Sequence, residues 1–264
     1  MVVKTSHLPA GGETVLGGDF FMNAGGKGAN QAVAAARYGN RVVFVAKTGD
    51  DLFGAQVREA MRQDNINTDY VFVDKEHPSG VALILVDSAA QNSISVALGA
   101  NNELMLEDVM PALDVIEEGD IVLLQLEIPM ATVESAIAVA AERGARVILN
   151  PAPAAKVSTE ALSKLYLITP NQTEAELLTG IEVTDEASAI KASEALCALG
   201  VKKVVITLGS DGAMLYEDGN STIIPAHKVN AVDTTLERGL FKERAEFFEE
   251  VFSIKPVIRL KQKE

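Results

Sequence analysis

The sequence predicts an α/β protein built on a doubly wound, mostly parallel sheet with helices on both faces and a small β-ribbon lid. Three observations predict it. Short β-branched runs alternate with longer stretches of helical period along most of the chain. The runs Ile121–Leu126 and Val204–Leu208 are apolar almost throughout, the pattern of parallel strands covered on both faces. Gly39, Gly144, Gly180 and Gly200 stand where helices should end.

Taken in order, strands are expected at Arg41–Ala46, Gly80–Asp87, Ser93–Leu98, Asp120–Leu126, Ala145–Asn150, Leu165–Thr169, Lys203–Leu208 and Thr222–Pro225. Helices are expected at Gly28–Tyr38, Leu52–Gln63, Glu103–Glu117, Pro129–Arg143, Thr173–Thr179 and Asp185–Leu199. Between about Tyr70 and Leu98 the alternation breaks. Strands follow one another there without helices (Tyr70–Val73, Gly80–Asp87 and Ser93–Leu98), which predicts an antiparallel ribbon projecting from the body as a lid. A sharper break falls at residue 236. The last 29 residues hold 13 charged residues and four of the nine Phe, and carry +1 against −15 for the rest. The spacing of Leu240, Phe241, Phe247, Phe248, Val251 and Phe252 predicts an amphipathic helix ending before Pro256. The chain reads as one α/β domain over residues 1–235 and a foreign tail over 236–264.

Composition narrows the partners. The 264 residues include 23 Lys and Arg against 37 Asp and Glu, a net charge of −14, with 48% apolar residues. That suffices for a sizeable core. An acidic chain is poorly matched to nucleic acid, whose phosphates need a basic footprint, and to anionic membrane surfaces. No apolar run approaches the roughly 20 residues of a spanning helix. The start Met1–Thr5 has no secretory pattern, and the single Cys197 makes neither an internal disulfide nor a Cys-rich metal site. A cytoplasmic protein is the expectation. Cys197 reads as a small core residue on a helix, and His7, His77 and His227 as surface residues without metal spacing.

In open α/β sheets ligands sit at the carboxyl ends of the strands. The polar residues just past predicted strand ends are Glu127, Asn150, Asn171, Gly209-Ser210-Asp211-Gly212 and Asp233. Any one alone is explained by a cap or turn; five on one rim point to a binding site. Ala24–Asn30 (AGGKGAN) opens the first long helix. Its glycines admit a ligand close to the backbone, and its free N–H groups favour oxygen-rich or anionic ligands. A plain tight turn is the competing reading. The segment is not a Walker loop, since Gly28 follows Lys27, nor a dinucleotide GxGxxG, since Gln31 replaces the third glycine. In Asn171–Glu176 (NQTEAE), Thr173 with Glu176 matches a capping box. Asn171 and Glu174 are left over, at a spacing suited to a hydrated Mg²⁺ beside phosphates. Taken by itself that motif favours the local explanation. Thr207–Gly212 is a strand end and glycine turn, of a kind that binds nucleotide phosphates or simply reverses the chain.

Together these segments resemble the ribokinase branch of the PfkB carbohydrate kinase family. Gly25–Ala32, Thr48-Gly49-Asp50-Asp51, Gln125-Leu126-Glu127, Asn150-Pro151-Ala152-Pro153, Asn171–Glu174 and Thr207–Gly212 occur in that family's order and spacing, over nearly nine-tenths of the chain. The resemblance implies transfer of the ATP γ-phosphoryl to the primary hydroxyl of a pentose, D-ribose by the motifs. Gly25, Gly26, Lys27 and Asn30 would line the sugar pocket, with Glu127 accepting from sugar hydroxyls. Asn171 and Glu174 would organise Mg²⁺ (Glu174 through water) and the ATP phosphates. Thr207, Gly209, Ser210 and Gly212 would meet the nucleotide, and Asp233 and Thr235 would hold a monovalent cation, K⁺. The lid, with part of residues 8–24, would also serve as the contact of a homodimer.

The resemblance fails at two places. After Val232–Thr235 the family continues Gly-Ala-Gly-Asp, whose N–H groups form an anion hole and whose Asp is the catalytic base. Here Leu236-Glu237-Arg238-Gly239 follows, so Gly239 stands in the place of the base. The family's first strand, bearing an Asn and an Asp that hold sugar hydroxyls, would precede Met1. The expectation is therefore a sugar kinase by lineage with impaired transfer. The competing reading is a non-catalytic sugar- or nucleotide-binding remnant, or the product of a disrupted reading frame.

Overall fold

In the computed structural model, which describes residues 1–89 and 91–226, the described chain divides into a unit from Met1 to Glu103 and another from Leu104 to Ala226. The first contains β1 (Val2–Lys4), β2 (Phe20–Phe21), α1 (Lys27–Arg37), β3 (Ala46–Gly49), α2 (Leu52–Gln63), β4 (Val71–Asp74), β5 (Val81–Val86) and β6 (Asn92–Ala97), followed by a 3₁₀ turn at Gly99–Glu103. Four of these strands form the ribbon, in the order β2-β1-β5-β6. The pair β5 and β6 is antiparallel, with Leu83 opposite Ser95. β1 lies parallel to β5, and the amino group of Met1 donates to the Ala82 carbonyl at 2.8 Å.

Two expectations are corrected here. The strand expected at Tyr70–Val73 does not enter the ribbon; β4 pairs in parallel with β3, with Ala46 opposite Val71. Strand propensity marks a strand but not its partner. The strand expected at Arg41–Ala46 begins only at Ala46. Residues before it make an isolated bridge, Val43 with Asn67, and do not sustain a ladder. The core of this unit is small and helical. Ala29 and Ala32 of α1 meet Met61 of α2 and Ile66, with Val57, Val42 and Phe44 closing round them.

The second unit contains α3 (Leu106–Leu113), β7 (Ile121–Leu124), α4 (Met130–Glu142), β8 (Arg146–Leu149), α5 (Thr159–Ser163), β9 (Leu167–Ile168), α6 (Gln172–Thr179), α7 (Glu186–Ala198), β10 (Lys203–Thr207), β11 (Ala213–Glu217) and β12 (Asn220–Ile224). One six-stranded sheet runs β7-β8-β9-β10-β11-β12. The first four strands are parallel, β11 returns antiparallel to β10, and β12 pairs antiparallel with β11. The interior is made of Val147, Leu149, Ile168, Val204 and Ile206 from the strands, Val133, Ile137 and Ala140 from α4, and Ala189, Ala192 and Leu196 from α7, all fully buried. The α/β class and the parallel sheet agree with the sequence pattern. Gly39, Gly144, Gly180 and Gly200 all have positive φ after their helices.

The long helix expected at Glu103–Glu117 is shorter, because the Asp108 carboxylate accepts the Met105 N–H at 3.0 Å and starts the helix at Leu106. The reading of both apolar runs as doubly covered strands holds for one of them. Val204, Val205 and Ile206 are buried, but in β7 Ile121 is 42% and Leu123 38% exposed. Among the described residues β7 pairs only with β8, so it is an edge strand. Cys197 lies on α7 as expected but is half-buried, and burial together with Glu194 pushes its thiol up. His7 and His77 are exposed beside Glu13 and Asp74. Among the described residues no helix is long and apolar enough to cross a membrane. Asp233, Thr235, Gly239 and the tail helix lie outside the described residues.

Candidate active site

The parallel order of β7, β8, β9 and β10 sends their carboxyl ends to one rim, and each end carries one of the residues singled out above. Past β7, Leu126 is buried and its N–H donates to the Ala152 carbonyl at 2.9 Å, which fixes the turn on which half-buried Glu127 stands. Past β8, the Asn150 amide donates to the Thr169 carbonyl at 3.1 Å, so its side chain ties neighbouring strand ends together.

Past β9 the chain enters α6 through Asn171. This corrects the expected capping box. The box is not Thr173 with Glu176 but Asn171 with Glu174: Asn171 Oδ1 accepts the Glu174 N–H and Glu174 Oε2 accepts the Asn171 N–H, both at 2.8 Å. Helix α6 starts accordingly at Gln172, one residue earlier than the periodicity predicts. Both frames satisfy the pattern, and burial chooses between them. With the helix in this frame Glu174 is 7% and Ala175 0% exposed, while Thr173 and Glu176 face outward. The two residues reserved for metal and phosphate therefore have a structural task as well. Glu174 Oε1 makes no hydrogen bond among the described residues, and one such oxygen is what a hydrated Mg²⁺ needs, since that ion takes few protein ligands.

Past β10 the chain comes alongside the same place. Thr207 forms a parallel bridge with Asn171, and its N–H donates to the Pro170 carbonyl at 3.0 Å. The turn closes with Leu208 N–H on the Gly212 carbonyl at 2.8 Å. Thr207, Gly209 and Ser210 are exposed on it, whereas Gly212 is held against β12. The structure thus unites Asn171, Glu174, Thr207, Gly209 and Ser210. The Pro170 joint that links the two segments had no signal in the sequence, because a carbonyl acceptor can belong to any residue.

The remaining candidates lie in the first unit. Gly26 caps α1 at φ 107°, a conformation that glycine adopts without strain, and no side chain caps the helix. A Cβ at Gly26 would meet nothing within 4 Å, so the space beside the turn is open. Gly25, Lys27 and Asn30 are exposed around it, and Asn30 N–H donates to the Gly26 carbonyl at 2.9 Å. No group of three His, Cys, Asp or Glu suited to a metal occurs among the described residues.

A parallel sheet whose carboxyl rim presents an acid, two amides and a glycine turn, with a glycine-rich helix start elsewhere in the chain, defines an α/β enzyme of the phosphate-handling kind. The chain belongs to the pfkB family of carbohydrate kinases, whose model matches residues 2–235. Within that family it is a sugar kinase of the ribokinase type. It is 42% identical over 234 residues to a ribokinase of Haemophilus influenzae, covering 89% of this chain and 76% of that one. It is 36% identical to a deoxyribokinase of Salmonella typhimurium, covering 89% and 77%. The structure of Arabidopsis thaliana ribokinase complexed with ribose and ATP matches with a TM-score of 0.79 at 30% identity, over 95% of this chain and 82% of that one.

Proposed function

We propose that this chain binds ribose and ATP as a ribokinase-type protein and transfers the phosphoryl group poorly. The observation that carries the reading is the ordered rim: Glu127, Asn150, Asn171 with Glu174, and Thr207–Ser210 stand past four successive parallel strands. Glu127 accepts hydrogen bonds from sugar hydroxyls, with Gly25, Gly26, Lys27 and Asn30 as the other sugar-facing group. The exposed backbone of Gly209 and Ser210 meets the nucleotide. Glu174 holds Mg²⁺ through water, and that ion, when bound, neutralises phosphate charge. Asp233 and Thr235 are assigned to K⁺ on the resemblance alone. A cytoplasmic location belongs to the same proposal.

Calorimetric titration with ribose tests the reading. The wild-type chain should bind, and Glu127→Ala should weaken binding by about tenfold or more, because hydroxyls placed for an acceptor are left unpaired. Equal affinity in the two proteins removes Glu127 from the sugar site. Deoxyribose titrated alongside decides between the two pentoses that the relatives' names offer.

The ribbon is assigned as the lid and as the contact of a homodimer. Phe20, Leu83, Ile94 and Val96 are each more than half exposed on it, an apolar load unusual for a free surface. Sedimentation equilibrium should give a dimer, and Ile94→Glu with Val96→Glu should give a monomer. A monomer before mutation refutes the assignment.

A further inference from the structure

The motif Thr48–Asp51 takes no part in the sugar and nucleotide readings, yet it makes a densely bonded joint in the first unit. Asp51 is the N-cap of α2, and its Oδ1 accepts the Gly54 N–H at 2.8 Å. A helix cap needs no more than that, and Ser, Thr or Asn would supply it. The Asp51 carboxylate does more. Oδ1 also accepts the Ser79 hydroxyl at 2.7 Å, and Oδ2 accepts the Ser79 N–H at 2.8 Å. The Ser79 hydroxyl in turn accepts the Gly49 N–H at 2.9 Å. Three donors thus converge on one side chain, and only a carboxylate has two oxygens able to take all of them. An asparagine would turn an NH₂ group towards one of the donors. Burial raises the Asp51 pKa, but the hydrogen bonds from Gly54 and Ser79 outweigh it and hold the carboxyl below its ordinary range.

Ser79 is 6% exposed and lies two residues before β5, at the first root of the ribbon. The second root, after β6, is pressed against the same residues. Ala100 N–H donates to the Pro78 carbonyl at 2.8 Å. A Cβ on Gly99, whose φ is +51°, would stand 2.3 Å from the Pro78 oxygen, and one on Gly80 would stand 2.3 Å from Asn101 Nδ2. Both roots therefore meet at Pro78–Gly80, and Asp51 holds that point to the start of α2.

We propose that Asp51 is a positioning residue: through Ser79 it anchors the ribbon β2-β1-β5-β6, and so sets the affinity for the sugar the ribbon covers. The second half rests on the lid reading above. With the anchor cut, the ribbon samples more orientations, and ligand binding must order it again at a cost in affinity. Residues that touch sugar or nucleotide are unchanged.

Hydrogen exchange read by mass spectrometry, with calorimetry for ribose and an ATP analogue, tests this in the full chain. Asp51→Ser keeps an oxygen for the Gly54 N–H but cannot serve Ser79; Ser79→Ala removes the hydroxyl's bonds to Asp51 Oδ1 and to the Gly49 N–H, keeps its own N–H on Oδ2, and leaves the cap intact. In both variants exchange should rise about tenfold or more over residues 78–86 and 92–101, with α2 protected as in the wild type. Ribose affinity should fall by a similar factor while the nucleotide affinity stays. Unchanged exchange in the ribbon of Ser79→Ala overturns the proposal, as does equal loss of both affinities. If Asp51→Ser does not fold, Ser79→Ala decides the matter alone. A wild-type chain that binds no ribose refutes the sugar reading, and the exchange comparison still decides the anchor.

Discussion

Given ribose and ATP with Mg²⁺ and K⁺, the purified chain should release ADP at less than about one-hundredth of ordinary kinase turnover, which is roughly 1–100 per second. The reason is residue-specific. Phosphoryl transfer needs positioning, donors and cations around the γ-phosphate, and a carboxylate for the hydroxyl proton. Gly239, at the place the resemblance assigns to the base, offers no proton acceptor. On the same resemblance, Leu236, Glu237 and Arg238 stand where the family carries small residues whose backbone would come close to the phosphate. Glu237 would bring negative charge to a transition state that is already anionic. Arg238 offsets part of that charge but stays protonated and cannot act as a base. Loss of general-base catalysis alone costs about 10²–10⁴-fold. These residues lie outside the described part of the structure, so a coupled ADP assay is the direct test. Ribose-dependent turnover in the ordinary range that survives Glu237→Gln would show that the motif is misaligned.

Gly212→Ala should destabilise the chain by more than about 2 kcal/mol. Gly212 has φ +98°, outside the range an alanine adopts without strain. An added Cβ would stand 2.0 Å from the Ile224 carbonyl oxygen and 2.6 Å from the Ala226 nitrogen. Those are backbone atoms of the chain leaving β12, so no side-chain rotation relieves the contact. The alternative is to unpick the turn where Leu208 N–H meets the Gly212 carbonyl, at the end of β10. Gly209→Ala is the control. Its φ is also positive, at +60°, but its Cβ would meet nothing within 4 Å, so its cost should be smaller. Denaturant midpoints of the two variants measure the difference. Equal midpoints would mean that Gly212 is not pinned by β12.

That pair also separates two reasons for a glycine in the turn. Glycine in a phosphate-binding turn and glycine in a turn that must pass another strand look alike in sequence. The contact with the end of β12 accounts for Gly212 being a glycine and does not bear on its proposed place at the nucleotide, while Gly209 and Ser210 are the exposed members of the turn. Asn171 and Glu174 show the same ambiguity from the other side. Their capping box is a local pattern, but so is Thr173 with Glu176, and only the burial of Glu174 and the bridge from Asn171 to Thr207 select the frame.

What the sequence alone determined is what lies within a few residues of itself. Helix α2 begins and ends where the pattern predicts, because its cap Asp51 and its periodicity are local. The four helix-ending glycines follow for the same reason. The rim residues Glu127, Asn150, Asn171 and Gly209 were legible because each follows an apolar run, and a parallel sheet sends such ends to one side. Only the tertiary structure decided which strands pair. β1 is three residues long and is defined by β5, some eighty residues away; β11 is defined by the hairpin it makes with β12 and by β10. β4 joined β3 rather than the ribbon, and β7 exposed half its side chains as an edge. The double use of Asp51 was hidden too, since Ser79 is 28 residues away. Local conformation follows from backbone sterics and side-chain caps, whereas pairing and burial depend on which distant surfaces exclude water together, and that is a property of the whole chain.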